Sequence, residues 1–302
     1  MNIPNYPDFV PISLDLKEEM HPALSLTKDG VSEYTFSNLY LFRKRYNYRI
    51  SVVPDKTMVI SGEREGKKFF MTPCDIPPRE VLDQLFDTHD YWKGISDSVL
   101  CPNRIHLEQW GIEVAEDRDN FDYLYLRTDL AQLSGKKYHK KRNLVNAFIN
   151  SYKYEERPLT VDLVGQALDV LDRWREEKGI EGDYVAAREA LELFEQLDMQ
   201  GAMYYVEDKP AGWCLGESLA KGRMFAIHFE KGLEEYKGIY QFINQAFAAA
   251  LPRHVIHINR EQDLGDEGLR QAKMTYRPTS FVRKYVGHRS GKPIALDPSC
   301  ES

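Results

Sequence analysis

Cysteine is scarce in this sequence. Cys74, Cys101, Cys214 and Cys300 are the only 4 in 302 residues, with no CxxC pair and no zinc-type spacing. That excludes a disulfide framework and reads as reduced thiols in a cytosolic protein. Long apolar runs are missing too: the stretch from Ala246 to Leu251 is far too short to cross a bilayer, so no transmembrane segment is expected. The opening residues, MNIPNYPDFVPISLDLKEE, have prolines and acids where a secretory leader has a basic and then an apolar segment. Positive charge is the minority sign, with 40 Lys and Arg against 47 Asp and Glu, a net charge of -7. The chain as a whole is therefore no generic nucleic-acid binder, although a local basic patch stays open. No Ser/His/Asp nucleophile signature and no metal-ligand spacing stands out. Direct transfer without a covalent enzyme intermediate, and without a covalently bound cofactor, is the expectation.

What is present supports a well-filled core. Hydrophobic residues make up 42%, charged residues 29%, and the mean hydropathy is -0.52. The length suits one large or two medium domains. Hydrophobic spacing and turn residues predict helices over 14–26 and 37–46, a strand over 48–53, and a hairpin from 57–61 and 67–71. A helix follows Pro77 and Pro78, then a short helix over 103–110 and strands over 112–114 and 121–126. The second half repeats that order. Helices are expected over 160–178 and 184–197, a hairpin from 203–206 and 211–219, a strand over 224–229 and a helix over 238–251. A strand over 255–259, a short helix and a last strand over 281–286 complete it. The repeated order implies a tandem α+β repeat: one domain over 1–128, a basic linker helix over 129–158, a second domain over 159–289 and a polar tail over 290–302.

The richest stretch is HVIHINREQDLGDEGLRQAKMTYRP, from His254 to Pro278. It reads as a short β-branched strand, an acidic loop with Glu261 and Asp263, and a short helix with Arg270 and Lys273. Polar groups at the carboxyl end of a strand, facing a helix start, are a common place for an open sheet to do chemistry. Alternation places His228 and Glu230 on one face of their strand, where a carboxylate or imidazole could take a proton. A hydrogen-bonded structural histidine is the plainer alternative. Lys136, Lys137, Lys140, Lys141 and Arg142 crowd the start of another helix, where cations are disfavoured unless an anion is bound. The plainer reading there is a solvated charge run.

The second half resembles the GNAT acetyltransferase superfamily: two helices, a three-strand meander, a long helix, a strand, a short helix and a strand. The resemblance implies that the donor phosphates sit at the start of the long helix, after a Q/R-x-x-G-x-G/A loop. Here that loop is Glu235-Tyr-Lys-Gly-Ile-Tyr240. Gly238 fits and Lys237 adds charge, with Ile239 and Tyr240 following, but Glu235 and Tyr240 depart from the pattern, which weighs against ordinary acetyl-CoA binding. Over nearly the whole chain, this stretch and EDRDNFDYLYLRTDLAQLSGKKYHKKRN resemble the phosphatidylglycerol lysyltransferase C-terminal-domain family, in its stand-alone members. More distantly the chain is similar to the Fem-type peptidoglycan aminoacyltransferases, whose short-helix lysine Lys273 matches. The resemblance implies a tandem GNAT-like (acyl-CoA N-acyltransferase) fold of two similar domains. It also implies transfer of an acyl or aminoacyl group, from aminoacyl-tRNA or an acyl thioester, to an amine or hydroxyl. Acceptors would be small molecules, lipids or peptides, with the tRNA 3′ end as a partner. The membrane-spanning half of the lipid enzymes has no counterpart here, which weighs against a lipid acceptor. On this reading Asp263 and Glu261 orient or deprotonate the acceptor, Arg270 and Lys273 stabilise an oxyanion or a phosphate, and Asn259 holds the donor. The competing readings are a CoA-dependent N-acetyltransferase acting on a metabolite and a ligand-binding module without catalysis.

Overall fold

The computed structural model of the chain describes residues 2–290; most of the expected tail and Cys300 lie outside them. Two seven-stranded sheets carry the fold. The first half supplies β1 (Val10–Pro11), α1 (Lys17–Leu24), α2 (Phe36–Leu41), α3 (Arg43–Tyr46), β2 (Arg49–Val52), β3 (Met58–Arg64), β4 (Lys67–Met71), α4 (Arg79–Thr88), β5 (Tyr91–Ser96), α5 (Asp97–Gln109), β6 (Ile112–Glu116) and β7 (Asp122–Leu126). Then come α6 (Arg127–Gln132), α7 (His139–Ser151), β8 (Tyr154–Pro158), α8 (Val164–Lys178), α9 (Tyr184–Leu193), β9 (Gln200–Val206), β10 (Lys209–Leu219), β11 (Met224–Gly232), α10 (Ile239–Ala250), β12 (His257–Asn259), α11 (Glu267–Met274), β13 (Ser280–Val282) and β14 (Lys284–Arg289).

The sheet orders are β1-β2-β3-β4-β5-β14-β6 and β13-β7-β12-β11-β10-β9-β8. Each contains a meander, a helix and a returning strand: β2 to β5 in one, β9 to β12 in the other. In each, the return creates a parallel pair, β4 with β5 and β11 with β12. Such a pair needs a helical crossover, which α4 and α10 supply.

The compact units interleave along the chain. One holds the residues up to Asp122, then Gln262–Arg270 and the strand residues from Phe281; the other holds Tyr123–Glu261 and Gln271–Ser280. The last strand, which periodicity draws as one run in the second half, breaks at Arg283, and its longer piece, β14, pairs between β5 and β6. Local periodicity predicts that a segment is extended but carries no information about which sheet it joins.

The first unit buries Phe70, Leu82, Phe86, Trp92, Ile95, Leu100 and Tyr285 in one cluster, with Phe70 stacked on Trp92 at 5.8 Å. In the second, α10 is apolar on its sheet face, and Phe242 stacks on Phe148 of α7 at 4.5 Å. The buried face of α7 is Val145 and Phe148, with Leu144 half-buried and Ala147 exposed.

Candidate functional site at a splayed strand pair

Strands β11 and β12 pair only at Met224↔His257, Phe225↔Ile258 and Ala226↔Asn259. Beyond that, β11 continues along β10 alone. Divergence leaves backbone groups of β11 without a ladder on that side, where a ligand can meet them. Opposite β10, the register jumps: Leu215 faces Phe229 and Gly216 faces Ile227. His228 is thus an extra residue, a β-bulge that re-aims its side chain.

The bulge breaks the alternation that puts His228 and Glu230 on one face. His228 lies buried between two acids, Nε2 2.9 Å from Glu217 Oε1 and Nδ1 2.6 Å from Glu261 Oε1. Burial pushes its pKa down, but Glu261 and Glu217 together outweigh that and raise it to about 10. The ring is therefore an imidazolium at neutral pH, which ends its expected role as a proton acceptor. Glu261 remains 19% exposed. Its backbone is left-handed, φ 55°, an uncommon state for a residue with a side chain. Three contacts hold it there. Asn259 Oδ1 accepts the Glu261 N–H at 2.7 Å, while the Glu261 carbonyl accepts from the Tyr123 N–H at 3.2 Å and from Lys273 Nζ at 3.1 Å. Asn259, expected to hold the donor, is fully buried and makes this internal turn instead.

Glu230 meets Arg260, with Nη2 2.9 Å from Oε1. Arg260 lies toward the Tyr276 ring, and Lys141 Nζ sits 4.0 Å from that ring's centre. Arg260, Glu217 and Tyr276 were not singled out from the sequence. The only hint was Arg260 directly following a strand end.

Asp263 and Arg270, expected to act on the acceptor and on an oxyanion or phosphate, are bonded to each other. Asp263 is fully buried and accepts from Arg270 Nε at 3.0 Å and Nη2 at 2.8 Å, from Arg118 Nη1 at 3.2 Å and from the Gly265 N–H at 3.0 Å. Arg270 also meets Asp119 at 2.6 Å. This is a closed ion-pair network that fixes a loop. Lys273 donates to the carbonyls of Arg260 at 2.7 Å and Glu261 at 3.1 Å. Leu269 and Ala272 on the same helix are exposed, Leu269 by 41%.

At the start of α10, Gly238 has φ 93°, and a Cβ there would lie 2.7 Å from the Leu144 carbonyl oxygen of α7. The Ile239 N–H bonds to Tyr236 O, Trp174 Nε1 bonds to the Tyr240 hydroxyl at 3.0 Å, and Lys237 is exposed. The basic patch is divided in its contacts. Lys137 pairs with Asp129 at 2.8 Å, and Arg142 caps the Leu133 and Gly135 carbonyls at 2.5 and 3.2 Å. Lys136 and Lys140 are exposed.

Residues 24–287 match the family described as Phosphatidylglycerol lysyltransferase, C-terminal. The chain belongs to that family. A conserved protein of unknown function from Bacteroides thetaiotaomicron is 31% identical, covering 93% of this chain and 99% of that one, with a TM-score of 0.82. L-PGS from Bacillus licheniformis is 13% identical over 97% of this chain and 96% of its own, TM-score 0.60, a likeness of fold alone. An uncharacterised protein of Mycoplasmoides gallisepticum is 24% identical over 186 residues, 59% of each chain, so this chain spans about three-fifths of that curated relative. The fold is the tandem GNAT-like α+β fold that the sequence implies, and the family and fold are those of an aminoacyl-transferase-like GNAT domain. No helix among the described residues is long and apolar enough to cross a membrane. The splay between β11 and β12 is where the candidate site lies. There Glu261 is the acidic group that combines partial exposure with a fixed backbone.

Proposed function

We propose that this protein is an aminoacyltransferase. It takes an aminoacyl group from aminoacyl-tRNA and passes it to an amine or hydroxyl. The observation that carries the reading is the turn before α10. A phosphate-binding helix start needs open N–H groups and room for the anion. Here the Leu144 carbonyl oxygen, the negative end of a peptide dipole, closes on Gly238. That disfavours the pyrophosphate of an acyl-CoA and leaves a donor whose phosphates lie elsewhere. The exposed Lys136 and Lys140 suit a tRNA backbone.

In the reaction, the acceptor's lone pair attacks the ester carbonyl carbon of the aminoacyl group. Glu261 takes the acceptor's proton as that bond forms. The C–O bond to the ribose then breaks, and the ribose oxygen recovers the proton. Backbone N–H groups beside the splay stabilise the oxyanion. His228, Asn259 and Lys273 keep Glu261 in place.

The test supplies total tRNA charged with labelled amino acids, with phosphatidylglycerol vesicles and small amines as acceptors in separate reactions. Discharge of the tRNA with label appearing on an acceptor is expected. Glu261→Gln should lower the rate by roughly the 10²–10⁴-fold typical of losing a general base. Lys136→Glu with Lys140→Glu should weaken tRNA binding and flatten its salt dependence. Consumption of acyl-CoA with no discharge of any aminoacyl-tRNA would reject the reading.

A further inference from the structure

The first sheet carries a buried lysine without an ion partner. Strands β4 and β5 pair only at Phe69↔Tyr91 and Phe70↔Trp92. Against β14 the register of β5 then jumps: Gly287 faces Trp92 and Tyr285 faces Ile95. Lys93 and Gly94 thus stand opposite the single residue Val286, a bulge in which Gly94 has φ 72°. Phe70 and Trp92 face the core, so alternation sends Phe69 and Lys93 to the other side of the sheet. There Lys93 Nζ lies 5.4 Å from the centre of the Phe69 ring and 5.5 Å from that of Tyr46. Gly62 of β3 makes room for this layer, since a Cβ there would lie 2.5 Å from the Phe69 ring.

Lys93 is 6% exposed, and among the described residues it has no ion pair and no hydrogen bond from its side chain. The acids that act on it are engaged elsewhere. Glu33 is bonded to Lys284, and both Asp117 oxygens accept from Asn120 Nδ2, at 2.9 and 3.0 Å. Burial holds the Lys93 pKa below the ordinary ammonium range; Glu33 and Asp117 oppose the shift, and Lys284 and Arg64 add to it. Aromatic faces attract a cation but accept hydrogen bonds only weakly. An ammonium has three donors, and leaving them unmade in a buried place is costly. Lys93 is therefore short of an anion.

The Tyr46 ring also lines a cleft of about 460 Å³, a volume typical of small-molecule sites. Arg45, Glu63, Arg64 and Glu65 line it too. Arg64 Nε meets Glu65 Oε1 at 3.1 Å, so those two charges answer each other. Glu63 and Glu65 also limit the charge of a guest. A dianion such as phosphate would meet them at the wall, whereas a single carboxylate matches the Lys93 ammonium.

We propose that Lys93 and this cleft form a binding site for a small monocarboxylate, with its carboxylate on the Lys93 ammonium and its apolar body against the Tyr46 ring. The site lies within the first compact unit. It does not rest on the transferase reading and is tested without tRNA.

Calorimetric titration of the intact protein uses three probes: benzoate, benzamide and inorganic phosphate. Benzoate should bind, and benzamide, of the same shape without the charge, at least about tenfold more weakly. Lys93→Met should bind benzoate at least about tenfold more weakly than the wild type does. The same variant separates a binding group from a structural one. A buried ammonium that the fold leaves unpaired gives no stability to lose, so Lys93→Met should melt at no lower temperature than the wild type. Benzoate should raise the melting temperature of the wild type and leave that of the variant unchanged. Equal binding of benzoate and benzamide, or of benzoate by both proteins, would overturn the proposal. Tighter binding of phosphate than of benzoate would overturn the carboxylate assignment. No binding of benzoate would mean a solvated lysine only. A variant that melts lower or fails to fold would place Lys93 with Glu33, Asp117 and Lys284 in an internal charge cluster and reject the site.

Discussion

A single histidine shows how far residue-level chemistry can depart from residue-level expectation. His228 is easily chosen from the sequence as a candidate base, yet its two acids make it a fixed cation. That has a consequence for stability. Unfolded, an imidazole titrates near pH 6.5; folded, Glu261 and Glu217 outweigh burial and hold this one up to about 10. The folded state binds the proton more tightly, so the stabilisation is complete below about pH 6.5 and is lost as the pH rises toward the folded value. Wild-type thermal unfolding should therefore fall to lower temperature between pH 7 and pH 10. In His228→Gln that alkaline decline should shrink, while stability at pH 7 drops by roughly 3–5 kcal/mol, as when a buried ion pair loses one partner. Parallel alkaline slopes in both proteins would mean a neutral ring. The residue types at the site were legible: Glu261, Lys273 and Asn259 all meet at one turn. Their division of labour was not. Spacing could not reveal that Asp263 is closed off by Arg270 and Arg118, because Arg118 comes from 145 residues earlier in the chain.

At the scale of elements, the sequence was read well where period and punctuation agree and poorly where a strand is irregular. The meander from β9 to β11 and the helix α10 follow from alternation, a Pro stop and a Gly start. The bulge at His228 does not, since an inserted residue leaves the hydrophobic count almost unchanged while shifting every side chain beyond it. Gly238 is where an element boundary and the functional argument meet. Its φ of 93° and the Leu144 carbonyl oxygen 2.7 Å from a would-be Cβ leave no place for a side chain. Gly238→Ala should lower stability by about 2 kcal/mol or more, from the left-handed backbone together with the forced retreat of α7. Denaturant titration reads this directly. An unchanged midpoint would mean that α7 gives way easily, and the case against an acyl-CoA pyrophosphate at this turn would weaken with it.

At the scale of the whole chain, the repeated order of elements is visible in sequence, but the crossing of strands between the sheets is not. β12 of the second half pairs with β7, and β5 of the first pairs with β14. The residue that seals the second exchange is Lys284, fully buried, bonded to Glu33 and, at 2.6 Å, to Asp122. Asp122 in turn accepts from the Ser32 N–H at 2.9 Å and hydroxyl at 3.0 Å. A lysine with two acids in a dry interior is costly unless every group is paired, so such a cluster specifies one arrangement more than it adds stability. Its cation arrives on the last strand, after most of the first sheet has been synthesised. Ending the chain after residue 279 removes a strand that is paired on both edges and leaves Glu33 and Asp122 without their lysine. The prediction is that the shortened protein loses protection of β5 and β6 in limited proteolysis and hydrogen exchange. Lys284→Met should keep the strand but lose roughly 3–5 kcal/mol, because the acids stay buried without their partner. If the shortened chain kept full protection in β5 and β6, the last strand would be an ornament of the first sheet, and Lys284 would have no part in choosing which sheet it joins.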